Sequence, residues 1–276
     1  HRMVHGGEDF ASSVLVSDEV IAACEANAEL APIHNPANIA GVEACRKVMP
    51  EVPMVLVFDT AFHQTMAPEA YLYAIPYEYY TDYKIRKYGF HGTSHLFVSQ
   101  EASKVLGKTP EEVKIITCHI GNGGSCAAVE YGKCIDTSMG LTPIDGLVMG
   151  TRCGDIDPSV VTYLMSKLNV SADEVLNILN KKSGLLGISG VSNDCRLVEG
   201  AAAEGNERAD LAMKMFVRRV KGYVGNYLAQ LNGADALVFT AGIGENDPTV
   251  RADICEGLTN LGFKIDPEKN KARETV

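Results

Sequence analysis

Apolar positions along the chain switch repeatedly between a helical and a strand period, and the switches are marked by turn and cap residues. Ser17-Asp-Glu19 before Val20, Ile21 and Ala22 predicts a helix start with acids in its first turn. Asn35-Pro36 predicts a second helix, with Asn as cap, Pro in the first turn, and Ile39, Val42 and Cys45 on one face. The apolar run over residues 52–58 predicts a buried strand ending at Asp59, and Ser94 is expected to cap a helix that carries Leu96, Phe97, Val105 and Leu106 and stops at Gly107. Next comes an apolar run over residues 113–118, the turn-rich stretch His119-Ile-Gly-Asn-Gly-Gly-Ser125, and a second apolar run over 126–130. Apolar strand, Asn-Gly turn, apolar strand is a strong hairpin signal, and Tyr131-Gly-Lys133 predicts a further turn. Asp157-Pro158 predicts a helix start, Ser171-Ala-Asp-Glu174 a capping box, residues 207–231 a long helix, residues 234–240 a strand, and Asp247-Pro248 a last helix start. Strands and helices alternate throughout, which defines an α/β chain.

Composition narrows the partners. The chain has 276 residues, 46% of them apolar, enough for one large or two smaller cores. A net charge of −10, without a Lys/Arg cluster, argues against nucleic acid or an acidic membrane surface as partner. No apolar run has the length of a membrane span. Eight cysteines without CxxC spacing read as reduced thiols of a cytoplasmic protein.

Chemistry concentrates in three glycine-rich turns placed at strand ends: Gly121–Gly124, Gly150–Gly154 and Gly242–Gly244. Such turns bring backbone N–H groups close to an anion, and strand ends are where open α/β sheets bind ligands. Neither a Walker A loop nor a dinucleotide fingerprint is present: Gly107-Lys-Thr109 closes a helix and follows Ala102, and Gly242-Ile-Gly lacks a third glycine. Arg152, between glycines in Met149-Gly-Thr-Arg-Cys-Gly-Asp155, presents a planar fork suited to phosphate or carboxylate. Its spacing equally allows a structural pair with Asp155 or Asp157. His91 and His95 are four apart, but without an intervening HExxH glutamate they do not read as a zinc pair. His91 reads as a loop donor to an anion, and His63 and His95 as hydrogen-bonded structural histidines.

Taken together, these motifs resemble one family. His1-Arg-x-Val-His-Gly-Gly-Glu8, His34-Asn-Pro36, Phe58-Asp-Thr-Ala-Phe-His63, Tyr88-Gly-Phe-His-Gly-Thr-Ser-His95, His119-Ile-Gly-Asn-Gly-Gly-Ser125, Asp136-Thr-Ser-Met-Gly140, Met149-Gly-Thr-Arg152 and Gly242-Ile-Gly-Glu-Asn246 closely resemble, in order, the acetate kinase family. These are the short-chain carboxylate kinases of the acetate and sugar kinase, Hsp70 and actin superfamily. The resemblance implies a two-domain actin-like (ribonuclease H-like) ATPase fold. Residues 1–60 would be the remnant of an acyl-binding domain and 61–276 a nucleotide-binding domain. It implies reversible transfer of the ATP γ-phosphoryl group to acetate, giving acetyl phosphate and ADP, with Mg²⁺ (or Mn²⁺) and with a homodimer as the assembly.

Carried over by position, Arg2 and Arg152 would hold the carboxylate and the phosphoryl group in flight. His91 would hydrogen-bond the transferring phosphate, and Asp59 would be the catalytic acid residue, acting in metal positioning or proton transfer. His119, Ile120, Gly121, Asn122 and Gly123 would line the ATP phosphates; Asp194, Cys195 and Arg196 the adenosine end; Gly242, Ile243, Gly244, Glu245 and Asn246 the nucleotide as well. Val4, Ile33, Phe90 and Pro143 would form the pocket for the acetate methyl. No metal ligand is assigned. The family pattern carries an Asn-x-Gly-Ser-Ser-Ser loop ahead of the position of His1 and a metal-linked glutamate beyond Val276. The expectation is therefore an incomplete first domain and a chain inactive alone. Propionate or butyrate kinase, and a non-catalytic actin- or Hsp70-like nucleotide module, are the competing readings.

Overall fold

The computed structural model describes residues 1–32 and 34–272. Ile33, expected in the acyl pocket, lies outside the described residues. The fold is mixed α/β, and its packing separates into two units, residues 1–115 with 127–143, and residues 116–126 with 144–276. Bonds from His91 and Gly92 to Asp59, and from Arg86 to Glu8, tie the stretch after residue 60 to the first sixty residues.

In the first unit, β1 (Arg2–Met3), β2 (Val14–Leu15) and β3 (Val55–Phe58) form a sheet of order β1-β3-β2. The central β3 is parallel to β1, with Arg2 level with Val57, and antiparallel to β2. Helices α1 (Asp18–Ala26) and α2 (Asn35–Val48) contribute Ile21, Cys24, Ile39 and Val42 to a core with Met3, Phe10, Leu56 and Phe58. Phe10 stacks on Phe58 at 4.3 Å between ring centres. Ser17 caps α1 as its spacing predicts, accepting from the Val20 amide at 3.3 Å. Asn35 does not cap α2. It is the first residue of the helix, and its amide holds the His5 backbone from both sides, accepting from the N–H at 3.0 Å and donating to the carbonyl at 2.9 Å.

A 3₁₀ turn at Ala61–Thr65, short helices α3 (Pro68–Tyr71) and α4 (Glu78–Tyr83), and α5 (Gly92–Val105) follow. Ser94 is not the cap of α5 either. The helix starts two residues earlier because the Gly92 N–H donates to the Asp59 carbonyl at 2.8 Å, with His91 in the left-handed region at φ 58°. A Cβ at residue 92 would overlap that carbonyl, so only glycine fits. The buried side of α5 is Gly92, His95, Ser99 and Ser103, while Phe97 and Val105 are exposed.

Strands β4 (Lys114–Ile120) and β5 (Gly124–Glu130) form the expected hairpin, and each contributes residues to both units. In the first unit β5 pairs antiparallel with β6 (Lys133–Thr137) through a two-residue turn, Tyr131 and Gly132, both at positive φ as a type I′ turn requires. In the second unit β4 lies between β5 and β7 (Ala236–Thr240).

Around these strands run α6 (Ser159–Leu168), α7 (Ala172–Lys181), α8 (Gly184–Ser189), α9 (Cys195–Ala203), α10 (Glu207–Leu231), α11 (Ala241–Asn246), α12 (Pro248–Cys255) and α13 (Pro267–Ala272). The long α10 matches its prediction, capped by Asn206 and burying Phe216, Val220, Val224, Tyr227 and Leu231. The capping box of α7 and the Asp247 cap of α12 are also as expected. The stretch Gly242–Gly244, expected as a turn, is helical and forms the body of α11. All eight cysteines are free thiols. No helix among the described residues is long and apolar enough to cross a membrane.

Candidate active site

Parallel pairing explains the first cluster. Arg2 is level with Val57, so Asp59, two residues on, lies diagonally across from it on the same face and within reach of a long side chain. The guanidinium engages the carboxylate in a fork, Nε to Oδ1 at 2.8 Å and Nη2 to Oδ2 at 2.7 Å. The Asp59 side chain is 7% exposed and that of Arg2 is 63% exposed, so a buried acid anchors a cation whose outer edge faces solvent. Donating to the Asp59 carboxylate raises the Arg2 pKa above its already high ordinary value. Asp59 Oδ2 also receives the His91 backbone N–H at 3.4 Å. Arg2, Asp59 and His91 are thus one cluster of the first unit.

Val4 and Phe90 are buried, and Pro143 is half-buried. The Phe90 ring meets His5 edge-on at 5.5 Å, and His5 packs against Tyr88 at 4.5 Å. Burial lowers the His5 pKa to about 4, so this imidazole is a neutral packing group.

The second cluster lies wholly in the second unit, where two of the glycine-rich turns meet. The Gly121 N–H closes the hairpin loop on the Gly123 carbonyl at 3.0 Å, and the Asn122 carbonyl accepts the Gly150 N–H at 3.0 Å. Asn122 Oδ1 accepts from Asn193 Nδ2 at 3.0 Å. A Cβ at Gly150 would overlap Asn122 Oδ1, and a Cβ at Gly121 would sit 3.7 Å from the Ala241 Cβ at the start of α11. The hairpin loop therefore touches the Arg152 loop, the segment before α9, and α11. His119 stands at the half-buried end of β4.

Arg152 is half-buried with Nη1 3.8 Å from Met149 Sδ, and burial pulls its pKa below the ordinary arginine value. Asp155, the alternative partner allowed by spacing, is engaged elsewhere: its carboxylate takes the Gly146 N–H at 2.7 Å, the Tyr223 hydroxyl at 2.8 Å and Arg219 at 3.2 Å. Asp157 accepts the Ser159 N–H at 2.8 Å, at the start of α6. Behind the loop a cavity of about 600 Å³ is lined by Asp155, Arg218, Arg219 and Tyr223 among others, and by none of the predicted site residues.

Asp194 caps α9 and pairs with Arg196 at 2.6 Å, while Cys195 turns inward against Met213 Sδ at 3.9 Å. Burial raises the Cys195 pKa to about 12, which keeps it a thiol. In α11, Glu245 accepts from the Thr240 hydroxyl at 3.0 Å and Asn246 donates to the Gly242 carbonyl at 2.8 Å. A residue the motifs did not flag supports this helix: buried Arg251 donates to the Gly244 and Glu245 carbonyls at 2.9 and 2.8 Å and to Asn270 Oδ1 at 2.6 Å. No local pattern announces it, because its partners are backbone carbonyls and a residue 19 positions away.

Over residues 1–276 the sequence matches the acetokinase family, and the chain belongs to that family. It is 64% identical over 274 residues to the acetate kinase of Thermoanaerobacterium thermosaccharolyticum, covering 99% of this chain and 68% of that protein. It is 61% identical to the acetate kinase of Treponema denticola, again over 99% of this chain and 69% of the relative. Among solved structures, Porphyromonas gingivalis acetate kinase superposes with a TM-score of 0.95 at 50% identity, over 100% of this chain and 69% of the other. A propionate kinase from Francisella tularensis superposes with a TM-score of 0.95 at 52% identity, over 99% and 70%.

Proposed function

We propose that the residues of this chain serve reversible phosphoryl transfer between ATP and acetate, forming acetyl phosphate and ADP by direct in-line displacement. The observation that carries this reading is the forked Arg2–Asp59 pair with His91 on the same carboxylate, within a chain of the acetokinase family. An acetate carboxylate is already ionised at neutral pH, so the reaction needs no strong base. It needs positioning and compensation of the charge that gathers on the transferring group. In the first unit, the exposed edge of Arg2 is the cation for the acyl carboxylate, and His91 is the donor to the phosphoryl oxygens. Val4, Phe90 and Pro143 supply the apolar surface for the methyl group, with residues 1–60 forming the acyl-binding part.

In the second unit, residues 119–123 and 242–246 are the nucleotide loops, residues 194–196 the adenosine end, and Arg152 the cation for the phosphoryl group. Asp59 fits Mg²⁺ or Mn²⁺, because it offers hard carboxylate oxygens that keep a lone pair beyond those used by Arg2. The cluster of Cys195, Glu199 and Asp247, with ligand atoms within 4.8 Å of one another, includes a thiol and does not suit such an ion. When bound, the ion neutralises phosphate charge; Asp59 would hold it. The free thiols support a cytoplasmic setting, and the family resemblance supports a homodimer.

Acetohydroxamate formed from acetate, ATP and hydroxylamine by the protein that carries this chain tests the reading. ATP-dependent product is expected, and its absence alongside an active relative would overturn it. Propionate is the second reading, favoured by the near-equal likeness to the Francisella tularensis propionate kinase. An extra methylene in an apolar pocket changes kcat/KM by a factor worth about 1–3 kcal/mol, so kcat/KM across C2 to C4 acids separates the two.

A further inference from the structure

His63 is fully buried and stands outside the set of groups assigned to substrate. Its ring bridges two segments of the first unit. Nε2 lies 2.8 Å from the Phe90 carbonyl oxygen, and Nδ1 lies 3.1 Å from Cys134 Sγ on β6. A carbonyl can only accept, so Nε2 carries the proton and donates. Burial lowers the His63 pKa to about 4, which leaves Nδ1 bare, and the same burial pushes the Cys134 thiol up, so it stays protonated and donates to the Asp136 carbonyl at 3.3 Å. The Phe90 carbonyl thereby determines the tautomer.

What His63 holds gives this bond its meaning. The Phe90 carbonyl and the His91 N–H belong to one peptide unit, and the N–H points to Asp59 Oδ2 at 3.4 Å. One planar peptide is therefore held at its oxygen by His63 and at its nitrogen by the carboxylate that carries Arg2. The residue that follows, His91, sits at φ 58°, a conformation unfavourable for a non-glycine residue that persists only where its surroundings enforce it. Neighbouring bonds run the same way: the Tyr88 and Gly89 N–H groups donate to the Gly140 carbonyl at 3.1 and 3.3 Å, and Lys87 pairs with Asp136 at 2.6 Å.

We propose that His63 is a positioning residue for phosphoryl transfer, its Nε2–H fixing the Phe90–His91 peptide and so aiming the His91 imidazole. The proposal rests on the phosphoryl-transfer reading of the site.

The test compares His63→Gln, whose amide nitrogen can reach the place of Nε2, with His63→Asn, whose amide reaches only the place of Nδ1. Asparagine is one methylene smaller and also leaves a void, so the turnover difference is read together with the His91 signals, which a packing role alone would leave in place. The aim of His91 is lost only in the second. The asparagine variant is expected to lose kcat by about a hundredfold with KM for ATP unchanged, and the glutamine variant to recover most of that loss. Independently of turnover, long-range ¹H–¹⁵N spectra of histidine-labelled protein should show His63 as the neutral Nε2–H tautomer from about pH 5.5 to 8. Its assignment comes from the signals lost in the glutamine variant, and the His91 signals should move in the asparagine variant alone.

Equal kcat in the two variants, an Nδ1–H tautomer, or unmoved His91 signals would overturn the proposal. If the parent protein forms no acyl phosphate, the phosphoryl-transfer reading falls, and the spectra still decide whether His63 aims His91.

Discussion

Arg2 and Asp59 form a two-point clamp across adjacent parallel strands, with both oxygens of a nearly buried carboxylate committed to one guanidinium. Separate roles for the two, a substrate cation and a catalytic acid, would make their substitutions independent. The geometry makes them a unit, because Asp59 fixes the direction in which the exposed edge of Arg2 points. Asp59→Asn keeps the shape but removes the charge and one acceptor, and should lower kcat about a hundredfold or more. Arg2→Lys should cost a similar factor, since a single ammonium cannot reproduce the fork. In a double-variant cycle the combined loss should be close to the larger single loss. Additive losses in initial rates would show that the pair does not act as one.

Gly150 marks the contact between the hairpin loop and the arginine loop. Its Cβ position falls on Asn122 Oδ1 and within 3.0 Å of the Asn193 carbonyl, so Gly150→Ala must displace the Asn122 side chain and crowd that carbonyl. Overpacking of this kind costs about 1–3 kcal/mol. A fall in Tm together with a rise in KM for ATP is expected, and adding Asn122→Ala should restore Tm without restoring KM, because Asn122 is itself one of the residues proposed for the phosphate loop. Recovery of both would remove Asn122 from the nucleotide site.

The elements were legible where the determinants are local. The Ser17 cap, the Ser171–Glu174 capping box, the hairpin and the 25-residue α10 all follow from neighbouring residues, and all are found. Reading failed where a side chain or peptide answers to a distant partner. Asn35 left its capping role to hold His5, thirty residues away, and α5 starts at Gly92 instead of after Ser94 because the Asp59 carbonyl takes the Gly92 N–H. Local propensity cannot anticipate either bond. The candidate residues were likewise legible as motifs, but the pairing of Arg2 with Asp59 depends on strand register, which spacing does not carry.

Arg251 is a buried cation of the second unit that no motif announces. It is 8% exposed and satisfies the carbonyls of Gly244 and Glu245 and both polar groups of Asn270 that face it. A cation among the terminal carbonyls of α11 also suits the helix dipole. Arg251→Leu leaves these acceptors buried without a donor, at about 1–3 kcal/mol for each. A large drop in the urea midpoint is expected, with weaker ATP binding by calorimetry in whatever fraction remains folded. A midpoint within error of the parent would contradict this account of α11.

Glu199, half-buried on α9, shares a hydrogen bond with Asp247, the cap of α12. Burial first, and the neighbouring Asp247 charge second, raise the Glu199 pKa to about 7. The folded state therefore holds a proton that the unfolded chain releases in the ordinary carboxylate range. Between that range and about pH 7 the folded state binds more protons than the unfolded one, so stability falls as pH rises. The contribution is complete below the ordinary glutamate pKa and is gone once pH has passed through about 7. Glu199→Gln keeps a donor for Asp247 without a titrating proton. It should flatten this part of the Tm profile and leave the variant more stable than the parent at about pH 8. Parallel profiles for variant and parent from acid to alkaline pH would show that the proton is not held at Glu199.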